Sequence, residues 1–277
     1  MVRHCVILAV FVWFGSNTIA AQSRFFNAWE SRVRATSARQ PAWVVPVFSP
    51  SAVIVQLARV DFLHQYTSAH AETWSYGGGK GVSLIPFART QIDLNLPSYI
   101  EHNSPTVRDG TSDFSVAAKY RIFAAAEHGN YSTAVQVAFS VPTGSYKNGA
   151  AVATITPTFV GGKGFGNLAL QSALGAVLPT SSSSSIGRTI LWNTVAQYRM
   201  GKYLWPEIET NASYFQGGPN NGRSQVFVTP GIIASKIRLR SSAVSRLGLV
   251  FGSAMQIATS RYHGYNHNLI LTGRITF

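Results

Sequence analysis

Glu207 and Glu209 stand two residues apart in the segment Leu204-Trp-Pro-Glu-Ile-Glu-Thr210. Side chains on an extended strand alternate between faces with a period of two, so the two carboxyl groups point the same way. Such a pair can divide acid and base roles, or it can supply counter-ions to cations on neighbouring segments. Lys119, Arg121 and Arg274 are the cations whose faces match, and the counter-ion role is the expected one. His263 and His267 form a second group. A spacing of four brings two imidazoles to one metal only on a helix, and Tyr262-His-Gly-Tyr265 does not read as helical. There is no Gly-x-Ser-x-Gly elbow, and Gly161-Gly-Lys-Gly-Phe-Gly166 misses the Gly-x-Gly-x-x-Gly spacing of a dinucleotide site. Cys5 is the one cysteine and lies in an N-terminal apolar run, so a processed chain has no thiol, disulfide or cysteine metal site to offer. We therefore expect neither enzyme activity nor a cofactor nor a metal.

The elements that must position these residues are strands. Ile92, Leu94 and Leu96 alternate with Gln91, Asp93 and Asn95. Phe114, Val116, Ala118, Tyr120 and Ile122 alternate with Asp113, Ser115, Ala117, Lys119 and Arg121. About twelve such segments are expected, near 53–61, 72–85, 90–98, 112–123, 131–142, 151–161, 167–178, 188–199, 202–215, 223–237, 245–258 and 266–277. The connections alternate between tight turns and longer polar loops, the asymmetry of a transmembrane barrel. Aromatics gather at both ends of the segments. Phe87, Tyr120, Phe123, Phe165, Tyr198, Tyr203 and Phe277 lie near the tight turns; Tyr99, Tyr146, Tyr214, Phe215 and Tyr262 lie near the long loops. Two interfacial girdles would have this distribution.

Composition agrees. Of 277 residues 46% are hydrophobic and only 12% charged, about half the roughly 25% charge of a typical soluble domain. Arg3, the apolar run Cys5 to Phe14 and Thr18-Ile-Ala-Ala21 read as a cleaved export signal over residues 1–21. Residues 22–52 read as a periplasmic leader. Phe25, Trp29 and Val33 are at helical spacing among Arg24, Arg32, Arg34 and Arg39, so a short interfacial helix or an unstructured stretch is expected there. The leader is too short for a folded plug domain. The barrel occupies 53–277. The net charge is +13, but the cations are scattered, which favours membrane phosphates or an anionic solute over nucleic acid.

Several stretches carry a family resemblance: Asp113-Phe-Ser-Val-Ala-Ala-Lys-Tyr-Arg121, Phe139-Ser-Val-Pro-Thr-Gly-Ser145, Pro157-Thr-Phe-Val-Gly-Gly-Lys-Gly-Phe-Gly166, Leu204-Trp-Pro-Glu-Ile-Glu-Thr210 and Val228-Thr-Pro-Gly231. They resemble the MetA-pathway of phenol degradation family of outer-membrane transporters, a Gram-negative outer-membrane β-barrel family, over about residues 81–277. The resemblance implies a Gram-negative outer-membrane barrel with a terminal Phe277 read by the barrel assembly machinery as an insertion signal; with the segment count above, the expected fold is an all-β closed antiparallel transmembrane barrel of about 12 strands (range 10–14). It supplies no ligand-binding residues.

With apolar faces to lipid, the polar faces line a lumen. That set comprises Asp93, Asp113, Lys119, Arg121, Gln136, Gln171, Asn193, Gln197, Glu207, Glu209, Asn211, Gln225 and Arg274. It could border an aqueous path or pair up to fill the interior, since a width of twelve strands lies between the filled and open cases. Arg89, Lys163, Arg199, Lys202, Lys236, Arg238, Arg240 and Arg246 collect at the tight-turn end and could bias a path toward anions. The expected function is a channel or transporter in the Gram-negative outer membrane, in contact with its lipid, passing or binding small solutes, anionic or aromatic, by passive diffusion. The alternatives are a structural or adhesion barrel and a lipid-modifying enzyme, neither with an aqueous path.

Overall fold

The computed structural model describes residues 24–67, 71–126, 129–239 and 246–277. The expected export signal and Arg240 lie outside the described residues. A helix, α1, covers residues 24–38. The strands are β1 (Leu57–Tyr66), β2 (Glu72–Gly77), β3 (Gly81–Phe87), β4 (Thr90–Asn95), β5 (Tyr99–His102), β6 (Gly110–Thr111), β7 (Phe114–Ala125), β8 (Tyr131–Val141), β9 (Thr154–Phe165), β10 (Leu168–Pro179), β11 (Arg188–Tyr198), β12 (Leu204–Gln216), β13 (Ser224–Arg238), β14 (Gly248–Ala258) and β15 (His267–Thr276).

Three pairs of these strands are halves of single staves. β1 pairs with β2 through Asp61–Tyr66 and with β3 through Leu57 and Ala58, so β2 and β3 run end to end along it. β4 pairs with β3 and β5 with β2; β7 pairs with β4 and β6 with β5. Each remaining strand pairs antiparallel with its chain neighbour, and β15 returns to β1, from Leu57 opposite Thr276 to Tyr66 opposite His267. The result is a closed antiparallel barrel of twelve staves. Closure leaves no sheet edge, which is what lets strands cross a bilayer with every ladder amide paired. No described helix is long and apolar enough to cross a membrane.

The outer surface is the apolar one. Val135, Val137, Phe159, Leu170, Leu174, Trp192, Ile208, Ile232, Phe251 and Leu271 are all large and exposed along mid-strand. Exposed Phe87, Tyr120, Phe123, Phe165, Tyr198 and Tyr203 sit toward the tight turns, and exposed Tyr99, Tyr146 and Tyr214 toward the long loops. A water-soluble fold would bury this surface; acyl chains are the solvent it fits.

The structure differs from the expected pattern at several places, and the strand expected near 72–85 is broken, β2 ending at Gly77 and β3 starting at Gly81. The register shifts between Arg121 and Phe123, so Ile122 is a bulge residue and Phe123, not Ile122, continues the outward face. Phe215 shares the face of Glu209 and Asn211 and packs edge-on against Tyr262, centroids 5.8 Å apart, so this pair belongs to the long-loop mouth rather than an outer girdle. The first strand begins at Leu57, because Val53 to Gln56 are drawn into bonds with the barrel interior.

Leu174 lies mid-strand between Phe159 and Trp192, both outward-facing. Leu174→Arg should lower stability in lipid vesicles by about 2–4 kcal/mol, measured by reversible denaturant unfolding, whereas an Arg placed at the already exposed loop residue Ser181 should change it little.

Candidate functional site

Residues 41–56 contain Pro41, Pro46 and Pro50, and no charged residue occurs from Gln40 to Ala58. Proline removes amide donors and breaks both helix and ladder. The segment is accordingly irregular, yet it is buried: Val47, Ala52, Val53 and Ile54 are almost wholly enclosed, and Trp43 and Val44 nearly so. It bonds to β1, β4, β7, β8, β10, β12 and β15 on their non-lipid faces, which places it inside the barrel. The expected periplasmic leader thus continues, past α1, into the lumen.

α1 is seated by its own contacts at the tight-turn mouth. Val33 packs with Ile54 and Ile85. Thr36 Oγ1 donates to the Ala88 carbonyl (3.1 Å), and Arg32 donates to the carbonyl of Pro86. Trp29 Nε1 donates to Gln56 Oε1 (2.6 Å), and Gln56 Nε2 donates to the Phe277 carbonyl (3.3 Å).

An irregular buried backbone needs partners for every donor and acceptor. Barrel side chains supply them. Glu207 Oε1 accepts from Val47 N–H (3.0 Å). Glu209 accepts from Phe48 N–H (2.8 Å) and Ser49 N–H (2.5 Å), one on each oxygen. Gln171 Oε1 accepts from Ala52 N–H (2.8 Å) and Gln91 Oε1 from Val55 N–H (2.7 Å). The cations hold carbonyls instead. Lys119 Nζ donates to Ser51 O (3.1 Å). Arg274 donates to Val45 O and, at 2.9 Å, to Pro46 O. Arg59, paired with Asp61 at 2.7 Å, donates to Pro46 O (3.3 Å) and Val47 O. Arg121 donates to Thr36 O (2.9 Å), Gln40 Oε1 (2.8 Å) and Ala88 O (3.1 Å). Ser132 Oγ donates to Ala52 O (2.7 Å).

This corrects the expected pairing of Glu207 and Glu209 with Lys119, Arg121 or Arg274. Among the described residues those two carboxylates make no ion pair. Carboxylates take amides and cations take carbonyls, because the main chain between them carries both needs.

The remaining sequence-selected residues support this layer or stand apart. Gln197 bridges Gln171 (3.1 Å) and Glu207 (2.7 Å). Asn211 donates to Ser49 Oγ (3.1 Å) and Asn193 Oδ1 (3.0 Å), and accepts from Thr229 and Gln256. Asp93 accepts from Gln91 (2.6 Å) and Ser83 (2.5 Å). Asp113 and Gln225 serve the long loops: Asp113 accepts from Gly144 and Ala150 amides, and Gln225 from Gly264 N–H. Half-buried Gln136 lies opposite Lys119 on β7. His263 bonds within its own loop, to the Ser260 carbonyl and Asn266, while His267 stacks on Tyr66 at 4.5 Å.

Apolar packing completes the filling. Trp43, Val44, Val47, Ala52 and Val53 form one cluster with the wall residues Ala134, Val160, Ala169, Ala173, Trp205, Ile233, Val250, Ala254 and Ile270. Small wall residues make the room. At Gly162 a Cβ would stand 2.7 Å from Trp43 and 3.0 Å from the Leu170 carbonyl, so β9 can pass Trp43 only as glycine. Sequence reasoning missed Arg59, Gln91, Ser132 and Gly162. The uncharged, proline-broken stretch between Arg39 and Arg59 was the signal that could have found their partner.

Glu209→Ala would strand the buried Ser49 amide, at about 1–3 kcal/mol, and the part-buried Phe48 amide at less. We predict a loss of that order in thermal or denaturant stability in micelles. Glu209→Gln, which keeps one acceptor oxygen, should lose clearly less.

The crystal structure of the COG4313 outer membrane channel from Pseudomonas putida F1 superposes with a TM-score of 0.60 at 13% identity, over 85% of this chain and 100% of that one. The translocator domain of the autotransporter NalP from Neisseria meningitidis gives a TM-score of 0.47 at 9% identity, over 94% of this chain and 97% of that one. The likeness to the Pseudomonas putida channel is one of fold. No curated protein matches the chain. A family profile matches residues 52–264, most of the barrel wall, and on that match the chain belongs to the family described as "Putative MetA-pathway of phenol degradation".

Proposed function

We propose that the protein is a channel of the Gram-negative outer membrane, passing small solutes by passive diffusion along a lumen that residues 41–56 occupy at rest. The observation that carries this reading is how the lumen is filled. The N-terminal segment is held mainly by hydrogen bonds from separate side chains to its main chain, not by a strand ladder. Water can replace such bonds one at a time as the segment shifts, since a water-mediated bond is nearly as favourable as a direct one. The wall it would leave behind carries Glu207, Glu209, Gln171, Asn211, Lys119 and Arg274, a surface suited to an aqueous path.

The solute preference follows from charge. Within the lumen acidic and basic groups are balanced, but Arg34, Arg238 and Arg246 stand at the tight-turn mouth. A cationic entrance raises the local concentration of anions. Export, insertion through the C-terminal strand and contact with outer-membrane lipid belong to the same reading. The structural or adhesion alternative requires the filling to be permanent.

In planar bilayers the wild-type protein should show small, infrequent openings. Glu209→Ala should raise open probability several-fold, and the reversal potential in a KCl gradient should favour chloride. A folded protein that never conducts, with Glu209→Ala equally silent, would favour the structural barrel. Cation preference at neutral pH would remove the anionic solute class.

A further inference from the structure

A cavity of about 330 Å³ opens at the tight-turn mouth between the N-terminal segment and the end of the wall formed by β13, β14 and β15. This is within the size range of small-molecule sites, which are mostly apolar with a few polar groups that fix orientation. Its floor and sides include Trp43, Val53, Leu57 and Val250. Four arginines also line it, Arg34, Arg238, Arg246 and Arg274, and its lining contains no aspartate or glutamate.

These arginines differ in what they already hold. Arg34 pairs with Glu30 at 2.8 Å, both about half exposed. Arg274 is committed to Val45 O, Pro46 O and Thr272. Arg238 is exposed at the rim. Arg246 is the unfinished one: its Nη1 is buried and has no hydrogen-bond partner among the described residues. Its backbone is fixed, since the Arg246 carbonyl accepts from Thr276 Oγ1 at 2.9 Å. A buried guanidinium nitrogen without an acceptor costs free energy, and a turn of the side chain toward the cavity, where a ligand oxygen is the acceptor, would recover it. Burial, with Arg34 nearby, also pushes the Arg246 guanidinium below its usual range, and Glu30 only partly opposes this.

We propose that this vestibule binds a small carboxylate with an apolar body, its carboxylate on Arg246 and its apolar part against Trp43 and Val250. Carboxylate is favoured over bare phosphate because the guanidinium fork matches a carboxylate edge and Trp43, Val53, Leu57 and Val250 offer an apolar surface beside it. The site goes beyond the channel reading and does not require the lumen to open.

Isothermal titration of the full chain in a neutral detergent at pH 7 tests the proposal, with benzoate and hexanoate as probes and benzamide and inorganic phosphate as comparators. Saturable benzoate or hexanoate binding is expected, at least tenfold tighter than either comparator. Arg246→Gln should weaken it at least tenfold and Arg246→Lys by less. Arg188→Gln, at the opposite end of the barrel, should leave it unchanged. Heat-modifiable gel mobility checks that each variant is folded. Three results would overturn the site: no saturable carboxylate binding, benzamide binding as tightly as benzoate, or wild-type affinity in folded Arg246→Gln. Phosphate binding as tightly as benzoate would overturn it too, leaving a bare anion site. Bilayer currents recorded without carboxylate report on the channel separately, so either reading can fail alone.

Discussion

The unpaired main chain of residues 41–56 is the constraint on which the interior depends. A segment broken by three prolines cannot satisfy its own amides and carbonyls, and inside a barrel little bulk water does it for them. Each polar group left bare would cost about 1–3 kcal/mol. The inward side chains of the wall are arranged to prevent that, with Glu207, Glu209, Gln171 and Gln91 facing amides and Lys119, Arg59, Arg274 and Ser132 facing carbonyls. Buried charges are otherwise expensive. Here most of them serve backbone dipoles of an irregular segment, which explains how Glu207, Glu209, Lys119 and Arg274 tolerate an enclosed position without ion pairs, Arg59 and Asp61 being the buried pair among the described residues.

Barrel width sets up the problem that this segment solves. Eight strands make an interior that side chains alone can fill, whereas a wider ring leaves space. Twelve staves with Ala134, Ala169, Ala173, Gly162 and Ala254 facing inward leave more than their own side chains occupy, and Trp43, Val44, Val47 and Val53 take up much of the difference. Lipid outside and this segment inside are thus two separate solvents for the two faces of each strand.

The outer half of this arrangement was legible in the sequence. Period-two alternation, tight turns against long loops, and aromatics at strand ends are local signals, and they gave the strand number and the faces of Lys119, Glu207, Glu209 and Arg274. The inner half depends on contacts distant in the chain. Glu209 and Phe48 are separated by most of the wall, and no periodicity links them. Without a known occupant, opposite charges on inward faces suggested mutual ion pairs. The bulge at Ile122 was hidden for a related reason: a single inserted residue leaves the alternation on either side intact and reverses its phase. The one visible hint of the filling was the missing charge between Arg39 and Arg59, where a stretch apolar enough for burial contains too many prolines for a helix.

Amide hydrogen exchange of the protein in nanodiscs tests the central claim most directly. If wall side chains hold the N-terminal segment, the amides of Val47, Phe48, Ser49, Ala52 and Val55 should be protected for times comparable to the strands, although they belong to no helix or ladder. Exchange of those five amides at the rate of an open loop, with the strands still protected, would contradict the account.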